Sequence, residues 1–526
     1  MAWDNLCSLP FPRLDRLLLS YAEHDGEAGR AEIERLIATY PSQRPAALRA
    51  RIALIARDAG RVADLTRLPF IVSQLPEGGK GFLAQTPRVR ELVNEISRQQ
   101  TLLNTLDRPV LREPHARLLH TEIENFRHTV SGMAEPLATG FRAAAFRWLE
   151  TADRQLAEAV AITARQPTPQ VFRAGDPVDQ SKEAFVPRNG VFGELERQMT
   201  LATGCPALVL YGRRRVGKST VLRNVAGFLP SSVRVVVVSM EDAKAFTSLD
   251  LLLALLADRI QSHLPEGRRL ELVTKDLPCF RDFLGQVNGS LQDGNRRLLV
   301  ALDEYEYVDQ KIGEGVFSKD FLALLRESIQ THRQLTWLLA GSHEIGELSH
   351  AEWPSYLISA RTVEVGLFSA DETRLLLTDP LRYCPLWAKD DPKRPRFDPA
   401  FWGEGGIERI HREAGGWPHL VQLIAETTVD LLNDSEQRQA DAQVLERALN
   451  KAIVSGDIVL RQLVQNECRL PDEWEYVSRF RNVESQPPPG DEAIHRSLRR
   501  RLLVAEEKGV WRLRVPLMQR WLRTRG

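Results

Sequence analysis

Gly212-Arg213-Arg214-Arg215-Val216-Gly217-Lys218-Ser219-Thr220 follows directly on a short apolar run, Pro206–Tyr211, and fits the spacing GxxxxGK[ST]. The chemistry this spacing permits is phosphate binding. Glycines let the backbone bend until successive N–H groups turn inward around phosphate oxygens. Lys218 then reaches the β- and γ-phosphates, and Ser219 offers its hydroxyl to Mg2+. Leu222, Val225 and Phe228 continue at helical spacing, so a helix N-terminus stands behind the turn.

A second run, Leu298-Leu299-Val300-Ala301-Leu302, ends in Asp303-Glu304. Two acids at the end of an apolar strand divide the work at a triphosphate. Asp303 is expected to hold Mg2+ largely through water, because the ion keeps much of its hydration shell. Glu304 is the expected base that polarises an attacking water. Glu306 and Asp309 follow closely and read as solvated or structural acids. The next apolar strand ends Leu339-Ala340-Gly341-Ser342-His343, where a polar residue lies between the two phosphate motifs and senses the γ-phosphate. Ser342 is the first choice for that role, with His343 as the alternative. The triplet Thr274-Lys275-Asp276 lacks the spacing of a guanine-reading segment, so ATP is expected over GTP.

These residues need a parallel sheet to hold them. Pro206–Tyr211, Val233–Val238, Leu298–Leu302, Leu335–Ala340 and Thr362–Val365 read as five short strands, apolar as strands covered on both faces must be. Helical segments alternate with them, notably Leu249–Leu264 and Asp320–Thr331. The fold class expected is α/β, a P-loop NTPase sheet preceded by an all-α domain. Residues 1–166 carry helix after helix, with a stripe of Leu137, Phe141, Ala145, Trp148 and Leu149 and with Pro109 and Pro114 as breakers. They read as a packed helical domain for docking a protein partner, or as a solenoid-like arm. Residues 167–187, rich in proline, read as a linker, 188–369 as the ATPase core, 370–435 as a helical lid and 436–526 as a C-terminal domain.

With 526 residues, the chain has room for three to four domains of about 100–200 residues each. Lys plus Arg and Asp plus Glu both number 70, which excludes a wholly electropositive nucleic-acid sleeve and leaves room for a local basic face. A hydrophobic fraction of 43% excludes wholesale disorder. The five cysteines form no CxxC or Cys/His cluster, so a reducing cytosol is expected, with neither a disulfide framework nor zinc. No signal peptide is read at the start. No apolar run approaches the roughly 20 residues of a membrane span, so a soluble cytoplasmic protein is expected.

GRRRVGKST, LDEYEYVD, LAGSHEIGEL and the turn Gly415-Gly416-Trp417-Pro418-His419 together resemble the archaeal and bacterial ATPase branch of the STAND NTPases, relatives of AAA+ proteins. The resemblance covers roughly residues 180–526. It implies a sheet of order 5-1-4-3-2, a helical lid and a C-terminal winged helix. It also implies a slow, regulatory ATPase switch with ATP and Mg2+ as cofactors, controlling partner binding or self-assembly, with a homo-oligomer in view. Pro418 and His419 would then lie by the nucleotide. Val186 and Arg188 would lie by the adenine, in a Phe-x-Gly-Arg-like stretch where this chain has Pro187 in place of glycine. Arg361 would be a γ-phosphate-sensing or trans-acting arginine.

Between His495 and Gly526 stand ten Arg and Lys against two acids. A helix carrying Arg496, Arg499, Arg500 and Arg501, followed by a turn at Lys508-Gly509, has the layout of a DNA-groove reader. Leu498, Leu502, Leu503, Trp511, Leu513 and Val515 point instead to a packed regulatory module. An ATP-regulated DNA-binding protein is therefore the alternative reading.

Overall fold

β1 (Leu208–Tyr211), β2 (Val233–Ser239), β3 (Arg297–Asp303), β4 (Leu335–Gly341) and β5 (Arg361–Glu364) form one parallel sheet in the order β2-β3-β4-β1-β5. This is the expected order read from the other edge. β-Branched and leucine side chains suit strands with both faces covered, and β4 and β1 are buried throughout. The expectation of full cover fails at the two edges. β2 leaves Arg234 and Val237 exposed, and in β5 only Val363 is buried, because each edge strand has a single neighbour. Helices Leu249–Gln261 and Leu277–Asp293 supply Leu252, Leu256, Phe280 and Leu284 to the core under β2, β3 and β4, where Trp337 and Trp353 are fully buried. Each such leucine contributes roughly 1.5–3 kcal/mol.

The computed structural model describes residues 9–76, 80–106, 109–163, 168–201, 204–264, 270, 274–435, 437–465, 467–468 and 470–524. They divide into two compact units, Met1–Gln170 and Val171–Gly526. In the first, long helices Arg44–Arg61, Thr86–Asn104, Pro109–Ser131 and Leu137–Thr163 pack together. The stripe Leu137, Phe141, Ala145, Trp148 and Leu149 is buried, and the Trp148 indole N–H donates to the Ala59 carbonyl at 2.9 Å. Of the two prolines read as breakers, Pro109 stands at a helix break and Pro114 does not. Pro109 opens its helix, where a missing N–H costs nothing, and the helix runs on through Pro114.

The proline-rich stretch read as a linker is, from Val171 onward, part of the second unit. Its aromatics decide this. Phe172 packs against Phe397 and Trp402, and Phe185 against Phe228 and Tyr383. After β5 come helices Ala370–Thr378, Gly406–Ala414 and Pro418–Asp434. The expected continuous helical stretch is interrupted between Thr378 and Pro399 by turns, one held by the buried Arg394 on Asp379 at 3.0 Å. Helix Glu492–Arg500, a hairpin of β6 (Val504–Glu507) and β7 (Val510–Leu513), and helix Pro516–Thr524 complete the unit. Among the described residues, no helix is long and apolar enough to cross a membrane.

Candidate nucleotide site

β1 delivers the chain to the phosphate turn at the carboxyl edge of the sheet. Gly212 passes so close to β5's continuation that a Cβ there would stand 2.5 Å from the Val365 carbonyl. Gly217 has φ 102°, a conformation that disfavours side chains, and helix Lys218–Asn224 begins on the next residue. Lys218 is only 5% exposed, and its ammonium donates to the Arg213 carbonyl at 3.3 Å. Burial lowers its pKa, opposed by the charges of Glu304, Glu306 and Asp303. Buried Asp303 ends β3 and accepts a hydrogen bond from Ser219. Burial raises its pKa, and the Ser219 bond and the Lys218 charge pull it back. Glu304 sits at φ 57°, left-handed for a residue with a side chain, and this turns its carboxylate into the cavity. Desolvation first, then the charge of Glu306, raises its pKa against the pull of Lys218.

The cavity measures about 400 Å3. Arg214, Arg215, Val216, Gly217, Lys218, Ser219 and Thr220 form its floor. Val186, Arg188, Pro418 and His419 line it as well, so four of the five residues carried by the resemblance are brought to it. His419 is held neutral, since burial and the nearby Arg215 push its pKa down to about 4. Arg188 spans the Gly366 and Leu367 carbonyls at 2.7 and 3.0 Å, beneath the Phe368 ring. Its second terminal nitrogen is buried without a hydrogen-bond partner among the described residues.

Other expected residues are placed elsewhere. The Gly212 and Arg213 side-chain positions do not line the cavity. The Arg213 guanidinium turns away to the Arg500 carbonyl, at 3.2 and 3.1 Å, and to the Ser342 carbonyl at 3.3 Å. Ser342 stands where expected, since β4 lies between β1 and β3, but its hydroxyl donates to Glu306 at 2.6 Å and does not open to the cavity. Arg361 corrects the reading of a phosphate sensor within this site. It opens β5 opposite Leu208, three residues before the sheet edge that carries the phosphate turn, and its charge acts on Glu194 and Cys205. Of the two readings open for Glu306, solvated or structural, the structure has the second, for it is buried beside Ser342 and His343. Asp309 is structural, accepting from the backbone of Ser349, His350 and Ala351 and from the Trp353 indole.

Several wall residues escaped the sequence reading. Residues 173–178 form a strap over the turn, tied by Val178 N to Thr220 Oγ1 at 3.1 Å and by Arg215 to the Gly175 carbonyl at 3.0 Å. Gln422 donates to the Ala184 carbonyl at 3.0 Å. The Trp417 indole donates to the Arg214 carbonyl at 2.9 Å and so fastens the Gly-Gly turn to the phosphate loop. Gln462, from helix Asp457–Val464, also reaches the cavity. The GGWP motif was a visible signal for Trp417; nothing in the local pattern marks Gln462.

The donor set fits a hard ion. Asp303 and Ser219 present two oxygens together, and Mg2+ takes few protein ligands beside water and phosphate. Among the described residues, no cluster of three or more His, Cys, Asp or Glu could hold a metal by itself.

A phosphate turn after the first strand, acids after the third and a sheet of order 2-3-4-1-5 define a P-loop NTPase core. Residues 201–348 match the AAA domain family. This part of the chain is an AAA+-related P-loop module. No curated protein matches the chain. Similar solved structures include a Walker-type ATPase of Pyrococcus abyssi, 17% identical over 64% of this chain and 96% of that one, TM-score 0.45. The ORC2 protein of Aeropyrum pernix is 14% identical over 67% and 99%, TM-score 0.43. The Holliday junction branch migration motor of Thermotoga maritima is 13% identical over 62% and 92%, TM-score 0.35.

The basic C-terminal helix beside the AAA module spends its arginines internally. Arg500 pairs with Glu344, and Arg501 with Glu473 at 3.1 Å, the two side chains 9% and 0% exposed. Arg496 and Arg499 are exposed and lie 3.8 and 3.6 Å from Glu492 and Glu506. The expected groove-reading set is thus split, because two of its four members serve packing. Arg501→Ala leaves a buried carboxylate without its cation. It is expected to lower unfolding stability by about 3–5 kcal/mol, read in the denaturation midpoint.

Proposed function

We propose that this chain is a STAND-like, AAA+-related switch that binds ATP with Mg2+, hydrolyses it slowly, and couples its nucleotide state to partner binding or self-assembly. The observation that carries this reading is the make-up of one cavity wall. Phosphate loop, strap, the Pro418-His419 end of the Gly-Gly-Trp-Pro turn and Gln462 all meet there, so an occupant touches the sheet core, the lid helix Pro418–Asp434 and helix Asp457–Val464 at once. Lys218 and the loop amides would hold the phosphates, Ser219 and Asp303 the ion, and Arg188 has a spare donor for the base. Mg2+, when bound, supplies charge neutralisation for the phosphates. Glu304 would accept a proton from the attacking water.

Helix Glu492–Arg500 with the β6–β7 hairpin serves in this reading as a winged-helix module. It is docked on the core through Arg213 to Arg500 and Arg500 to Glu344. Bound nucleotide shifts that docking only by its difference in affinity for the docked and released forms. Residues 1–170 would engage the protein partner. Mass photometry with and without ATP and Mg2+, run beside a phosphate-release assay, tests the reading. A mass distribution and phosphate release both indifferent to ATP would overturn it.

Chelating Mg2+ gives a further expected result. Asp303, Glu304 and Glu306 all act on Lys218, so acids crowd the end of the cavity that meets the phosphates, and a polyanion entering without its ion is repelled there. EDTA should therefore abolish phosphate release and weaken ATP binding by at least about tenfold, measured by titration calorimetry. Equal affinity with and without the ion would remove the metal from the site.

A further inference from the structure

Glu306 opens helix Glu306–Gly313, three residues beyond Asp303, and its side chain is 11% exposed. One oxygen, Oε1, accepts from the Ser342 amide at 3.0 Å and from the Ser342 hydroxyl at 2.6 Å, and lies 3.1 Å from His343 Nδ1. The other packs against Gly341, where any side chain would collide with it. The two residues before Ser342 are held between the two phosphate motifs. Gly212 N donates to the Gly341 carbonyl at 3.4 Å on one side, and Tyr305 N to the Ala340 carbonyl at 3.1 Å on the other. The Ser342 carbonyl is gripped in turn by Arg213, whose own carbonyl takes the Lys218 ammonium.

A serine hydroxyl has one proton to give. Here it goes to a carboxylate, the stronger kind of acceptor. We propose that Glu306 is a resident competitor of the nucleotide's third phosphate: it holds the Ser342 hydroxyl turned away from the cavity, and so from the γ-phosphoryl oxygen, and thereby sets the preference between triphosphate and diphosphate. The inference rests on the nucleotide reading of the cavity and adds to it a residue that tunes which nucleotide is held. The carboxylate is kept ionised for this role. Burial pushes its pKa up, but the hydrogen bonds from His343 and Ser342 more than offset that. Its charge also acts on Lys218, the group that meets the same phosphate. An ADP-filled site leaves the Ser342–Glu306 bond intact. A triphosphate breaks it or goes without it.

The direction of the test follows. In Glu306→Gln and Glu306→Ala the competing charge is gone; the acceptor for the Ser342 hydroxyl is weakened in the first and removed in the second, which leaves His343 Nδ1, 3.3 Å away, as its neighbour. Affinity for a non-hydrolysable ATP analogue with Mg2+ should rise about three- to tenfold, the worth of one hydrogen bond to a charged group. Affinity for ADP with Mg2+ should stay within about twofold. If the gain runs through Ser342, it should shrink in Ser342→Ala/Glu306→Gln relative to Ser342→Ala alone, a non-additivity that general loosening does not produce. Glu306→Gln keeps the shape of the side chain, so the measurement stands even if Glu306→Ala folds poorly. An unchanged analogue-to-ADP ratio in Glu306→Gln, or equal shifts for both nucleotides, overturns the competitor role while leaving the cavity a nucleotide site. A wild-type chain that binds neither nucleotide overturns both.

Discussion

Lys218→Ala is expected to lose Mg-nucleotide binding by at least about a hundredfold, or about 2.7 kcal/mol. The size comes from burial. This ammonium is 5% exposed and faces Asp303, Glu304 and Glu306, with the Arg213 carbonyl at 3.3 Å. A charge-assisted bond to phosphate contributes about 1.5–3 kcal/mol, and alanine also leaves three acids without their shared counter-charge. Those acids then repel the incoming polyanion, so the loss exceeds that of one contact. Titration calorimetry with ADP and with an ATP analogue gives the measurement. Thermal unfolding run alongside separates lost affinity from lost fold. A dissociation constant within threefold of wild type would remove Lys218 from the phosphate site.

Much of this site could be read along the chain because its parts are local. A phosphate turn is nine consecutive residues after one strand, and an Asp-Glu pair ends another; each declares itself by spacing alone. Strand order is not local, yet the order 5-1-4-3-2 came with the resemblance, and the sheet has it. What escaped the reading was decided by distance in sequence. Glu306 looks like a surface acid until Ser342 and His343, 36 and 37 residues later, are folded against it. Arg500 and Arg501 look like free cations until Glu344, 156 residues earlier, and Glu473, 28 residues earlier, claim them. The stretch at Val171–Val186 misled through composition. Gly175 and Pro177 suit a tether, but Phe172 and Phe185 each have an aromatic slot waiting in the lid region or core. As a sensor within this cavity Arg361 misled through proximity to a strand, since the register with Leu208 sets it at the end of that strand away from the phosphate turn.

Glu304→Gln should bind ATP with Mg2+ at least as tightly as the wild type and release phosphate about 10²- to 10⁴-fold more slowly. The substitution keeps volume and the left-handed backbone at φ 57°, and it leaves Lys218, Ser219 and Asp303 in place. What it removes is the acceptor for a water proton, together with one negative charge near the γ-phosphate. The first change slows turnover; the second favours binding. The two effects therefore part company, which a merely structural residue would not produce. Acidity gives an independent check. Burial, and after it the charge of Glu306, raise the pKa of Glu304 above that of an ordinary glutamate. A base works ionised, so wild-type turnover should fall as pH is lowered through that raised value, well before ordinary carboxylates protonate. The limb should vanish from the residual rate of Glu304→Gln. Wild-type turnover in the variant, or the same acidic limb in both proteins, would assign the proton to another group, and His343, 3.1 Å from Glu306, would be the next to replace.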